Sequence, residues 1–233
     1  MATTQQSPLT EGWPEEAREA AQLVIDQYGE PDESTATQLT WLKPGPWKRI
    51  IASKAFYSHN FPAPHFDSVE SVIDYRVPAD KFTALAQFDG SVIVERTAGE
   101  VSARCHDEQA NFLALNLMHD IVTNAKSVEE ARAYYSKEFA DYRRKKPTPY
   151  MEKLHFSPGQ SDTADPDTRT LTDEDLERAV REGKTQPVLS KCSTPSSGAV
   201  FIAVSSEESV LSPLVLLAAD QNLGLLQCCL PLT

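Results

Sequence analysis

Two histidines and an aspartate, His59, His65 and Asp67, crowd the stretch 58–67, and imidazole nitrogen with carboxylate oxygen is a donor set suited to zinc or a similar divalent ion. Pro62 and Pro64 restrict the chain between them, so ordering the donors costs less entropy than the span suggests. The chemistry such a group offers is Lewis-acid activation of water or a carbonyl, most naturally in a hydrolase. The plainer alternative is that Phe61 and Phe66 plug a sheet edge and the histidines are solvated.

A second candidate is Cys105, next to His106 and close to an expected helix N-terminus, where the dipole lowers a thiol pKa. Successive strand side chains point to opposite faces, so His106 is badly placed as its base, and a buried structural cysteine is the better reading. A third is the set Asn116, His119 and Asp120. Spacings of three and four put them on one side of a helix, where they line a ligand pocket or form a satisfied core network. There is no phosphate-binding glycine loop, nucleophile elbow or His-Glu-x-x-His pattern.

The element that must organise these groups is the run from Asp107 to Val122. Ala110, Leu113, Ala114, Leu117 and Ile121 recur at helical spacing beside a second apolar stripe of Phe112, Leu115, Met118 and Val122, which predicts a helix packed on several sides with Asp107 as N-cap. Before it, Pro14 to Tyr28 reads as a helix stopped by Gly29. Residues 37–42 and 47–56 read as a hairpin about Lys43-Pro44-Gly45-Pro46, with Trp41 and Trp47 expected as a cross-strand pair. A half-buried strand from Val69, a short helix after Pro78, and strands at 91–96 and 101–105 follow. After the central run, Ser127 with Glu130 forms a capping box for a helix closed by Pro147 and Pro149.

Hairpins joined in this order, without regular strand-helix-strand alternation, predict an α+β fold: an antiparallel sheet of about five strands with helices on one face. The domain is expected over 13–156, after a polar tail at 1–12. An acidic, proline-bearing linker at 157–171 leads to a C-terminal extension at 172–233, expected to be poorly ordered, with a capped helix from Thr172 to Glu182 and a strand at 199–204.

The motifs Gly45-Pro46-Trp47-Lys48-Arg49, His59-Asn60-Phe61-Pro62-Ala63-Pro64-His65, Asp74-Tyr75-Arg76-Val77-Pro78, Phe88-Asp89-Gly90-Ser91, Ser102-Ala103-Arg104-Cys105 and Asn111-Phe112-Leu113-Ala114-Leu115-Asn116 resemble those of a group of small uncharacterised bacterial proteins, over about Trp13 to Phe156. That resemblance implies one unit of fold and no reaction. Those relatives carry an acidic residue after the cysteine, where this chain has His106.

Across the 233 residues, 34 acidic against 22 basic side chains give a net charge of −12, which argues against a phosphate-backbone partner. The basic run Arg143-Arg144-Lys145-Lys146 reads as a helix terminus complementing its dipole. No secretory signal is read at the start, and the apolar run 211–219 is too short to span a bilayer, so a cytoplasmic location with reduced cysteines is expected. Two functions follow as expectations. The favoured one is a non-catalytic module binding a small ligand or a protein; the alternative is a metal-dependent, hydrolase-like enzyme built on His59, His65 and Asp67.

Overall fold

Chain order explains the layers. In the computed structural model, which describes residues 7–159 and 167–185, helix α1 (Glu15–Tyr28) precedes strands β1 (Glu33–Ser34), β2 (Gln38–Leu42), β3 (Arg49–His59) and β4 (His65–Asp74). Helix α2 (Phe82–Phe88) separates these from strands β5 (Val92–Glu95) and β6 (Glu100–Cys105), after which come α3 (Glu108–Val122) and α4 (Val128–Arg143). The sheet is antiparallel with six strands in the order β1-β2-β3-β4-β6-β5. The fold is α+β, with one strand more than expected, because two-residue β1 extends the edge beside β2.

Alternation along the strands sets the core face. Cross-strand partners Ala52, Val69 and Cys105 form one row, and Ile50, Ser71 and Ala103 the next. Helices α1 and α3 cover this face: α1 packs on β3 and β4, and α3 on β4, β5 and β6. Ala17, Ala20, Ala21 and Val24 are the buried stripe of α1, while α3 buries Leu113, Leu115, Leu117 and Met118 completely. Asn111 ties α3 to the sheet, donating to the Val69 carbonyl at 3.1 Å and the Ser71 hydroxyl at 2.9 Å.

The caps are those the sequence implies. Asp107 accepts from the Ala110 amide at 2.9 Å, and Ser127 with Glu130 closes the capping box of α4. Trp41 and Trp47 are not cross-strand partners: Trp41 stands opposite Ile50 and donates to the Gly29 carbonyl, whereas Trp47 packs on Phe112 and donates to Glu108. Gly45, in the turn between β2 and β3, has φ +54, and a Cβ there would meet the Tyr28 hydroxyl at 2.9 Å, so both backbone and space require glycine.

The other sheet face carries charge. Arg49 makes a two-pronged pair with Glu100 at 2.6 and 3.0 Å, and Lys48 reaches Glu100 and Asp74, each at 2.7 Å. Arg49 first, then Lys48, pull the Glu100 carboxyl from 4.5 down to about 2 against the opposing effect of burial. A carboxyl depressed on folding contributes stability that is complete above the unfolded value and is lost as pH falls towards the folded one. Urea unfolding midpoints of the parent should therefore fall between pH 4.5 and about 2 more steeply than those of Glu100→Gln; parallel curves would remove Glu100 from the acid response.

The chain divides into two units, Met1–Arg169 and Thr170–Thr233. In the first, residues 7–12 are not a free tail, since Thr10 is buried and Leu9 packs against the core. In the second, α5 (Asp173–Thr185) begins with Thr172 and Asp175 capping one another, at 3.0 Å from the Thr172 amide and 3.1 Å from the Asp175 amide. The strand expected at 199–204 and the apolar run 211–219 lie outside the described residues. Among the described residues no helix is long and apolar enough to cross a membrane.

Candidate metal centre

Half of the stretch 58–67, read from the sequence as a loop, is strand. His59 is the last residue of β3 and His65 the first of β4, and they are cross-strand partners, so their side chains share a face and their ring centroids lie 4.9 Å apart. Asp67 follows His65 by two residues on the same strand and therefore points the same way. Only residues 60–64 form the connection, which contains the cis Phe61-Pro62 bond. An irregularity in β3 between Ala52 and Tyr57 resets the register, and with it the face that His59 presents.

Phe61 anchors the hairpin tip. Its ring packs on Tyr135 at 5.0 Å and lies under the Arg132 guanidinium at 3.8 Å, while Arg132 donates to the Phe88 carbonyl at 2.5 Å. Thus α2 and α4 hold the connection that carries both histidines. Phe66, in contrast, is partly exposed and meets Phe56 edge-on at 4.9 Å.

The three donors lie within 4.8 Å of one another. Their side chains are 18% (His59), 14% (His65) and 1% (Asp67) exposed, so the carboxylate is buried and the imidazoles border it. His65 Nδ1 lies 2.8 Å from the Ala63 carbonyl oxygen, which only accepts, so Nδ1 is the protonated nitrogen. This leaves Nε2 towards Asp67 Oδ1, 3.0 Å away. Asp67 Oδ1 is nevertheless buried without a hydrogen-bond partner. At 3.0 Å the two atoms form an ion pair when His65 is protonated.

Asp67 Oδ2 has different neighbours: it accepts from the Ser91 hydroxyl and lies 3.3 Å from His59 Nδ1. His59 Nε2, on the far side of the ring, is 3.6 Å from Asp89 Oδ1, which in turn accepts from the Ser91 amide at 2.8 Å. Asp89 and Ser91 are both buried, and they brace His59 and Asp67 from behind. The Asp67 carboxylate holds the His65 pKa above its ordinary value, with burial opposing. Burial pushes the Asp89 pKa up, and the Ser91 amide works against it.

Sequence reasoning passed over Asp89 and Ser91. Locally, Asp89-Gly90-Ser91 signals the end of α2, and nothing in its spacing to His59 shows that β5 will bring it there.

The remaining candidates have other surroundings. Burial pushes the Cys105 thiol pKa well up, opposite to the activation that a helix N-terminus alone would produce. Asn116 donates to the Tyr150 carbonyl at 3.0 Å and the Lys153 carbonyl at 2.8 Å, and accepts from the His155 amide at 2.7 Å. His119 stacks on Phe156 at 4.3 Å with Nδ1 2.9 Å from the Tyr75 hydroxyl, and burial lowers its pKa. Asp120 pairs with Lys126 at 2.5 Å and accepts from Tyr150 at 3.1 Å. All three polar side chains are engaged by the chain itself, as in a core network that fastens the segment after α4.

Comparison with protein-family models, with curated proteins and with solved structures finds no match for this chain.

Proposed function

We propose that this protein binds one divalent transition-metal ion, zinc by donor preference, through His59, His65 and Asp67, and that the bound ion acts as a Lewis acid in a hydrolase-like reaction. The observation that carries this reading is the convergence of the three donor atoms within 4.8 Å of one another, around a buried carboxylate. Two imidazole nitrogens and a carboxylate oxygen are a donor set suited to zinc.

The separations agree with a shared ion. Zinc lies about 2.0–2.2 Å from nitrogen and oxygen ligands. Neighbouring ligands on one ion then stand roughly 3 Å apart; His65 Nε2 lies 3.0 Å from Asp67 Oδ1 and His59 Nδ1 3.3 Å from Asp67 Oδ2, contacts to different oxygens that suit a bidentate carboxylate. The outer partners support it as well. Metal-ligating histidines characteristically direct their second nitrogen to a carbonyl or a carboxylate, and here His65 uses Ala63 while His59 has Asp89.

Three protein ligands leave coordination positions for water or substrate, which is the arrangement of catalytic rather than structural zinc sites. The buried surroundings strengthen the field on whatever fills the open position. The competing reading, a binding module without chemistry, shares the same ion and differs in its use.

Zinc titration of chelator-treated protein should saturate at one ion per chain and raise the thermal midpoint. At a free concentration one hundred times the dissociation constant the stabilisation is about 2.7 kcal/mol. A midpoint unmoved by zinc, with no stoichiometric uptake, would remove the metal from the account.

A further inference from the structure

We infer that the cavity beside the metal group holds the apolar body of a small carboxylic acid whose carboxylate oxygen reaches the ion; this rests on the metal reading above. The cavity measures about 470 Å³, within the range of small-molecule sites. His65 belongs both to the donor group and to the cavity lining, so the two are adjacent.

The walls select the body of the ligand. Phe66, Cys105, Ala110, Phe139 and Met151 contribute to the lining, and three of them, Cys105, Ala110 and Met151, are buried. Such walls favour an aromatic or branched aliphatic group over a sugar or a phosphate ester, because polar groups placed against them lose water without replacement.

Charge selects the head. Arg143, at the end of α4, lines the same cavity with its guanidinium 5.2 Å from the Phe139 ring, and it is exposed to solvent. Arg143 is the arginine of this lining, and together with a divalent ion bound at His65 it outweighs the lining carboxylates Glu16 and Asp107, which suits an anion. Glu16 and Asp107 also border the space, and Asp107 Oδ1 is occupied in capping α3. A single carboxylate on an apolar body satisfies both the ion and Arg143 while matching the walls. Metal-bound products of ester or amide hydrolysis have this form, so the ligand class follows the proposed chemistry.

Cobalt(II) in place of zinc gives a visible spectrum that reports on the ion's ligands. In the full chain loaded with cobalt, phenylacetate should perturb that spectrum at a half-saturating concentration at least about tenfold below that of acetate, since burying a phenyl ring is worth more than a factor of ten. Phe139→Ala should raise the phenylacetate value about fivefold and leave the acetate value unchanged. Arg143→Gln, at an exposed position that does not threaten folding, should weaken both acids. Equal half-saturation for the two acids on a cobalt-loaded protein would overturn the cavity assignment and leave the metal site standing. Failure of cobalt to bind with nitrogen ligation would overturn both.

Discussion

The His59→Ala/His65→Ala double variant should lose stoichiometric zinc uptake, its affinity falling by more than about 100-fold, the upper end of what removing an outer-sphere partner alone costs. The reason is numerical as well as chemical. Of the three donors that converge within 4.8 Å, only Asp67 would remain, and a lone carboxylate does not hold zinc at low concentration. The fold should survive, because the hairpin tip is anchored by Phe61 on Tyr135 and Arg132, not by the imidazoles. In the chelated state the double variant should still unfold cooperatively, at a midpoint lowered by the loss of both imidazole partners of Asp67, and the zinc-induced rise should vanish. Retention of zinc at one per chain would show that the ion, if bound, sits elsewhere, and the assignment of these residues would fail.

The second large effect is on stability alone. Asn116→Ala removes three hydrogen bonds from a side chain that is 2% exposed, those to Tyr150, Lys153 and His155. At about 1 kcal/mol for each bond, the loss should be about 3 kcal/mol. The damage should be regional, since these contacts fasten the segment 150–155 across α3. Amide exchange at His155 should accelerate with that of its neighbours, whereas zinc affinity should stay at the parent value because the donors lie on β3 and β4. Denaturant unfolding with hydrogen exchange checks the first part, and zinc titration the second. A variant of unchanged stability that had lost a small-molecule ligand would instead restore Asn116, His119 and Asp120 to a binding role.

What the sequence made legible was mostly local. The caps at Asp107 and Ser127, the stripe of α1 and the all-round burial of α3 depend on residues a few positions apart, and each appears as the spacing implies. The α+β class followed from the order of these elements. Long-range pairing was harder to read. Two-residue β1 has no pattern of its own and exists because Glu33 and Ser34 meet Thr40 and Leu39. Prolines 62 and 64 suggested a loop across 58–67, yet β3 and β4 pair as far as His59 and His65, so the three candidate donors converge from strand ends rather than from a loop. Asp89 and Ser91 carried only the local signal of a helix end. Their closeness to His59 and Asp67 depends on where α2 ends and on the docking of β5 against β6, neither of which leaves a mark in the spacing of the residues themselves.

X-ray absorption at the metal edge of the zinc-loaded protein tests the central claim most directly. The account predicts a first shell of two imidazole nitrogens at about 2.0–2.1 Å with carboxylate and solvent oxygen at about 2.0–2.2 Å, the outer imidazole scattering disappearing in the double histidine variant. A first shell containing sulfur, or oxygen alone, would contradict a centre made by His59, His65 and Asp67.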